Sequence, residues 1–403
     1  FETLRNTLTL LTNFEKKFLF NLSTPYSFKI YSTTAQLPSN WDDLAVSTIF
    51  LSKKYLEILE KSSPENMVCH YIGLFENETL VGIALSQFLD LNQLESFGDR
   101  DKCIKTTVRN LVFRNFGSHV LVIGNNMLTG QNSFALSESI DKKKALQTLR
   151  SATTALKKMF QSKGKKIHIT TYKDFHKEDI TNFGIPEFKN DYQFSTQPNM
   201  VFHINENWKS EQDYIDSLSK KYRDQYKRAR KKATVIEKRK LHLEEIIALE
   251  DTIYDLYLHV AKNAPFNTFF LPKNHFRVFK EIFKDKFLFY GYFIDEKLIG
   301  FNTLIKNGPV MDTYFLGYDE SIQREKMLYL NMLYDMIAYS INKGFKEIVF
   351  ARTALEIKSS VGAKPIKMYG FIAHSNQIVN SYMPKIFRYL EPETNWQERN
   401  PFK

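Results

Sequence analysis

Apolar positions along the chain recur with two periods, and those periods follow one another in the same order twice. From 71 to 87, "YIGLFENETLVGIALSQ" holds an apolar run, an acidic turn and a second apolar run, the pattern of a strand hairpin. The segment 289–305, "FYGYFIDEKLIGFNTLI", repeats it, setting Gly73 against Gly291, Phe75 against Phe293, Glu78 against Glu296, Leu80 against Leu298 and Gly82 against Gly300. Farther on the period becomes helical. Leu146, Leu149, Leu156 and Met159 share one stripe, as do Leu330, Leu333, Ile337 and Ile341. Gly164 and Gly344 then stand where a left-handed helix cap belongs, each followed by a strand pattern. A third pairing sets Gly184 against Gly362.

This doubled order predicts an α/β (α+β) protein of two domains, 1–200 and 201–403, each a mixed central sheet flanked by helices. Polar residues and Pro198 interrupt the periodicity near 194–208 and mark the boundary. The first half carries extra residues between hairpin and helix, placed as an insertion near 90–117.

Composition fits two cores, with 43% hydrophobic and 14% aromatic residues in 403. A net charge of +11 favours acidic partners: phosphates, RNA, acyl carrier proteins or anionic membrane surfaces. Cys69 and Cys103 make neither a disulfide framework nor a paired-ligand spacing, so a reducing, cytoplasmic setting is expected. Apolar runs such as "FLFYGYFI" (287–294) are too short to span a membrane, and the opening residues read as the trimmed end of a soluble protein, with peripheral membrane contact left open. No phosphate-loop lysine, Gly-x-Ser-x-Gly elbow or Cys/His metal spacing is present, which leaves nucleotidase, serine hydrolase and metalloenzyme readings without support.

Charge is densest in "SLSKKYRDQYKRARKKA" (217–233). Leu218, Tyr222, Gln225, Tyr226, Ala229 and Ala233 follow helical spacing, so the segment is expected to dock on its own domain with Tyr222 and Tyr226 as core contacts. Lys227, Arg228, Arg230 and Lys231 are expected on the outer face, either solvated or turned to a phosphate-bearing partner.

Three stretches carry a family resemblance: "LSKKYRDQYKRARKKATV", "KLIGFNTLI" (297–305) and "ARTALEIKSSVGAKPIKMYG" (351–370). Together they resemble tandem Gcn5-related N-acetyltransferase (GNAT) proteins of the Fem-like bacterial superfamily, whose Fem members transfer amino acids from aminoacyl-tRNA to cell-envelope precursors. The chain departs from simple acetyl-CoA enzymes at "SIQREKMLYL" (321–330), which keeps Gln323 and Arg324 but lacks the glycines of a pyrophosphate loop. The first half has Ile180 where the motif has the lysine of Lys358, so the chemistry is expected in the second half.

In that reading Lys358 stabilises the transition state. Arg352, at the end of "EIVFAR", either clamps a phosphate or carboxylate or pairs with Glu356. Asp312, set among apolar neighbours, is the first candidate base, with Glu356 and His374 behind it. Gly362, Tyr369, Tyr314, Gln323, Arg324 and Arg228 are candidates for binding donor or substrate. The expected activity is N-acyl transfer from acyl-CoA or acyl carrier protein, as co-substrate rather than resident cofactor, to the amine of an amino acid, amino lipid or amino sugar. A Fem-like aminoacyl-tRNA donor is the alternative, and a non-catalytic RNA-binding protein is the rival of another class. The aromatic-rich segment 263–293 is either an acyl tunnel or core.

Overall fold

The computed structural model describes residues 25–93, 117–195, 197–264, 267–390 and 396–403. The region expected to hold the first half's insertion, and Cys103 with it, lies mostly outside them.

Among the described residues, fifteen strands form two mixed sheets. In chain order the first seven are β1 Tyr26–Tyr31, β2 Met67–Glu76, β3 Thr79–Asp90, β4 His119–Ile123, β5 Phe134–Leu136, β6 Ile169–Phe175 and β7 Tyr192–Ser195. Then come β8 Asn199–His203, β9 Glu237–Lys240, β10 Phe287–Ile294, β11 Lys297–Asn307, β12 Val310–Tyr318, β13 Glu347–Ala351, β14 Lys364–Ile366 and β15 Tyr369–His374. The first sheet is ordered β1-β2-β3-β4-β6-β15-β7, with β5 also on β3; the second is β14-β8-β13-β12-β11-β10-β9. Each half therefore gives a strand to the other. β8 lies between β13 and β14, and β15 lies between β6 and β7. The segment around Pro198 is where the chain crosses from one sheet to the other, so a cut at 200 runs through β8.

The doubled pattern is real at the level of atoms. Both hairpins close through two residues in the left-handed region, Asn77 and Glu78 (φ 45° and 70°) and Asp295 and Glu296 (φ 47° and 60°), the backbone that matches strand twist. Both carry a register shift at the same place, Leu74/Phe75 and Tyr292/Phe293. The matched glycines have one cause. A Cβ on Gly73 would sit 3.0 Å from the Phe75 ring and 3.2 Å from Leu80; on Gly291 it would sit 2.7 Å from the Phe293 ring and 3.0 Å from Leu298. A cation covers each ring in turn, Lys29 over Phe75 at 5.2 Å and Arg239 over Phe293 at 3.9 Å.

The matched helices, Lys142–Ser162 and Leu328–Asn342, end as the pattern predicts. Gly164 and Gly344 take φ of 77° and 72°, and the next residues return amide bonds to Phe160 O (2.9 Å) and Ser340 O (3.0 Å). The third pairing is looser: Gly362 has φ 113° under the Phe402 ring, whereas Gly184 merely ends a 3-10 turn at φ −71°. The stretch 241–263 forms two helices, Leu243–Ala248 and Glu250–Asn263, broken at Leu249.

One apolar core joins the halves. Trp41, Phe50 and Tyr55 of the first pack with Phe276, Phe279 and Phe301 of the second. Helices Lys53–Ser62 and His275–Phe283, each preceding its own hairpin, meet there, with Tyr55 at 6.0 Å from Phe279. Two further cores lie on the outer face of each sheet. Among the described residues no helix is long and apolar enough to cross a membrane, and no cluster of His, Cys, Asp or Glu is arranged to hold a metal.

Candidate active site

β12 and β13 run parallel but are paired only from Val310↔Glu347 to Asp312↔Val349. Beyond that point β12 swings away, through a register shift opposite Asn302–Leu304, and pairs with β11 as far as Tyr318. The strands part at Asp312, leaving Thr313, Tyr314, Phe315 and Leu316 each partly exposed. Thr313 Oγ1 donates to Val349 O across the narrow end at 3.0 Å. Such an opening at the carboxyl ends of parallel strands is where α/β sheets receive ligands.

The first half fills the same opening with its own chain. There the counterpart of β12 is split: β4 runs parallel to β6, and β5 pairs with Gly82–Ala84 as the end of β12 pairs with Gly300–Asn302. Residues 124–133 between them are tied to the end of β6. Lys173 Nζ donates to Asn125 O (2.9 Å) and Leu128 O (3.0 Å), and Ser133 Oγ donates to Lys173 O (2.7 Å). The second half keeps its opening.

Asp312 stands at the mouth of that opening and is buried. Burial raises its carboxyl to about 7, although Asn307 Nδ2 donates to Oδ2 at 3.1 Å and favours the charged form. Asn307 Oδ1 in turn accepts the Ile49 amide of the first half at 3.0 Å, which fixes its orientation. A carboxyl that ionises near neutrality can take a proton from an attacking amine.

Lys358 does not present a free ammonium. It is buried on the short helix Leu355–Ser360, and its Nζ donates to Phe350 O (2.6 Å), Ala351 O (3.3 Å) and Arg352 O (2.7 Å). Burial pulls its pKa down to about 7, while those carbonyl oxygens favour the charged form. The expected contact with a reacting carbonyl gives way to a hold on the backbone. Ala351, Thr353 and Ala354 all lie in the left-handed region, at φ 61°, 67° and 47°, which costs about 1–3 kcal/mol each for such residues. Because each trans peptide sets N–H opposite C=O, turning these carbonyls to Lys358 turns the Arg352 and Thr353 amides away from it. Neither amide has an acceptor among the described residues.

Arg352 does not pair with Glu356. Its Nη2 pairs with Asp174 at the end of β6, and its Nε donates to Gln197 O at 3.1 Å. Lys173 Nζ lies 3.0 Å from the other Asp174 oxygen, so three charged side chains meet where the halves touch. Glu356 pairs instead with Arg399, in a groove of about 440 Å³ shared with Lys221, Gln225 and Ser360 of the outer face. His374 pairs in register with Ile169 at the far end of β6 from Asp174, and its Nδ1 accepts the Asn376 amide at 3.0 Å. Asp312 is the candidate base that stands at the opening.

The binding candidates scatter. Tyr314 is on the parted strand, but its hydroxyl bonds His275 Nε2 at 3.0 Å. His275 Nδ1 lies 2.8 Å from Ser62 O, which makes Nδ1 the donor and Nε2 the acceptor, and burial keeps the ring neutral with a pKa of about 4. Tyr369 and Gly370 belong to the first sheet, Gly370 beneath the Phe194 ring, and Gly362 is covered by Phe402. Gln323 lies beside Tyr318, and exposed Arg324 pairs with Glu320 at 3.0 Å.

The basic helix Lys220–Lys232 docks as expected, with Tyr222 buried and Tyr226 at 4.9 Å from Tyr334. Arg230 is the exception to its predicted outer face. It reaches Glu211 and Asp335, each at 2.7 Å; burial opposes its charge, but the carboxylates hold it protonated beyond the ordinary arginine range. Lys220, Lys221, Arg223, Lys227, Arg228, Lys231 and Lys232 have no ion-pair partner among the described residues. This helix abuts the start of Leu328–Asn342, where Asn331 Nδ2 donates to Ala229 O at 3.0 Å.

Lys173, Asp174, Asn132 and Asn199 were not singled out by sequence reasoning. The adjacent charges "KD" inside an otherwise strand-like "ITTYKDF" are the one local signal, since charges in a covered strand need partners.

No protein-family model matches the chain, and no curated protein matches it. The solved structures include FemX, at 12% identity and a TM-score of 0.51, covering 88% of this chain and 99% of that one. A tandem GNAT protein from the clavulanic acid biosynthesis pathway matches at 8% identity and TM-score 0.48, covering 87% of this chain and 99% of that one. L-PGS from Bacillus licheniformis matches at 12% identity and TM-score 0.43, covering 84% of this chain and 96% of that one. The likeness to FemX shows the fold: two GNAT-like domains in tandem.

Proposed function

Starting from a tandem GNAT fold of the FemX kind, we propose that this protein transfers an acyl or aminoacyl group from a phosphate-bearing carrier to an amine, at the opening between β12 and β13. The observation that carries the reading is that this opening is plugged by residues 124–133 in the first half and left open in the second, with the buried carboxyl of Asp312 at its mouth. Asp312 takes the proton as the amine attacks the carbonyl, and the acyl–oxygen or acyl–sulfur bond to the carrier then breaks, the carrier leaving with that proton. The Arg352 and Thr353 amides, turned outward by Lys358, are donors suited to the oxyanion that develops. Lys358 is thus a positioning residue. The donor is a co-substrate that arrives and leaves.

Two observations narrow the donor. Phe276, Phe279, Phe283, Phe287 and Phe289 are each 4% exposed or less and fill the shared core, which disfavours a long acyl tunnel in that segment. The basic helix presents seven unpaired cations over about 20 Å, the length of thirteen residues at 1.5 Å each. Such a strip exceeds the diphosphate of one CoA and favours a longer polyanion, which makes aminoacyl-tRNA the second reading. An acidic carrier protein or an anionic lipid surface would use the same face.

The test is transfer itself. Purified protein is incubated with acetyl-CoA, longer acyl-CoA, acyl carrier protein and aminoacyl-tRNA against a panel of amines, and products are weighed by mass spectrometry. An N-acylated product that Asp312→Asn abolishes supports the proposal. RNA retained on the wild-type protein with no product from any donor would instead support an RNA-binding role without catalysis.

A further inference from the structure

The junction between the halves gathers polar side-chain atoms, donors and one buried acceptor, that no hydrogen bond among the described residues uses. Resting on the amine-acyl transfer reading, we infer that this junction is an anion subsite for the acceptor, which carries a carboxylate or phosphate group besides the amine to be acylated. The donors come from three elements. Arg352 follows β13; Asn199 begins β8, next to Met200, which pairs with Ala351, so Asn199 falls opposite Arg352 in the antiparallel register. Asn132 belongs to the loop that plugs the first half.

Each donor is fixed by what its other atoms do. Arg352 spends Nη2 on Asp174 and Nε on Gln197 O, leaving Nη1 without a partner among the described residues. Asn132 Oδ1 accepts from Thr48 Oγ1 at 3.0 Å, and Thr48 Oγ1 itself accepts the Phe50 amide, so the Asn132 amide group is oriented with Nδ2 unspent. Asn199 is 4% exposed, and its buried Oδ1 has no hydrogen-bond partner. An orphaned buried carbonyl oxygen costs about 1–3 kcal/mol unless something arrives to use it.

Gly130 leaves the space. With φ 112°, it would place a Cβ 3.6 Å from Asn132 Nδ2 and 4.0 Å from Asn199 Nδ2, so the two carboxamides flank the spot where any other residue would project a side chain. The local charge has the right sign. Lys173 and Arg352 outnumber Asp174 two to one, and no other acid among the described residues pairs with them. An anion entering here meets a guanidinium and carboxamide N–H groups. Asn199 Oδ1 is left to accept a proton from the acceptor's own amine or hydroxyl. The site lies at the carboxyl ends of β6 and β13, the second of which also borders the proposed catalytic opening.

Binding tests this without any donor. Inorganic phosphate is titrated into the full chain by isothermal calorimetry, with glycine and glycinamide in parallel. Saturable phosphate binding, weakened at least tenfold in Arg352→Gln and in Asn199→Leu but unchanged in the exposed-surface control Lys54→Gln, is the expected result. Binding of glycine over glycinamide would identify a carboxylate as the group taken; phosphate alone would identify a phosphate ester. Circular dichroism melts show whether each variant is folded, and Asn199→Asp, which keeps the shape and adds a repelling charge, serves if Leu unfolds the protein. No phosphate or glycine binding to the wild type, or equal binding to Arg352→Gln, overturns the subsite. Acyl transfer that persists with such a result would leave the catalytic reading standing, and anion binding without transfer would do the reverse.

Discussion

Lys358 Nζ lies 2.7 Å from the carbonyl oxygen of Arg352, so a buried cation on one short helix holds the backbone of the residue that reaches across to the other half. Replacing Lys358 by Met keeps the stem and strands three buried carbonyl groups beside left-handed Ala351 and Thr353. The expected loss is about 2–4 kcal/mol of unfolding free energy, together with transfer activity, since the Arg352 and Thr353 amides are no longer held. Chemical denaturation checks the first and product formation the second. A Met variant as stable as the wild type would show that the loop needs no clamp.

Asp312 makes stability and activity move in opposite directions with pH. Its carboxyl is raised to about 7 in the folded chain from an ordinary value of 3.8. Between those values the native state binds the proton that the unfolded chain has released, so stability falls as pH rises from about 4 to 7. The ionised form needed as base accumulates over the same climb. Transfer is therefore expected to rise with a midpoint near 7, and Asp312→Asn to lose about 10²–10⁴-fold while flattening the stability profile. A wild-type rate that is level through neutrality would remove Asp312 from the mechanism.

Arg230 and its exposed neighbours on the basic helix should fail differently. Arg230→Met leaves half-buried Glu211 without its cation and Asp335 with Lys238 alone, at 3.7 Å, and is expected to cost about 2–4 kcal/mol. Changing Lys227, Arg228 and Lys231 together to Glu should leave the melting curve within about 0.5 kcal/mol per site, because these side chains are exposed and unpaired. Its effect should appear as weaker binding to a single-stranded RNA probe and a shallower dependence of affinity on salt, by roughly two units of slope for three lost cations. Filter binding across a salt series, beside thermal melts, separates the two.

The duplicated glycines yield a graded series. Gly291→Ala forces a Cβ to within 2.7 Å of the Phe293 ring and is expected to cost about 1–3 kcal/mol; Gly73→Ala, at 3.0 Å, somewhat less. Gly344→Ala meets nothing within 4 Å and bears only its left-handed φ, about 1 kcal/mol. Urea denaturation should rank them in that order.

Features written in short-range chemistry were readable from the chain. Turn residues, helix caps and the Gly73–Phe75–Leu80 triplet each act within a few positions, and the repeat exposed them twice. Long-range pairing left no such trace. Nothing local in "YGFIAH" (369–374) says that it will enter the first sheet, because its alternation fits either. Arg230 was misplaced for a related reason. A lysine or arginine is ordinarily exposed, and only the arrival of carbonyls or carboxylates from distant segments makes burial tolerable. The burial of Asp312 was legible because an acid among apolar strand neighbours has few ways to reach water.

The exchange of β8 and β15 makes the two halves a linked pair rather than neighbours on a string. A stretch ending at 195 would lack the strand that joins β7 to β6, and one beginning at 204 would lack the strand that joins β14 to β13. Neither half can be lifted out, traded for a homologous module or permuted at the middle without tearing both sheets. A lineage that began with two similar copies is thereby bound to change them together, one keeping its cleft while the other closes.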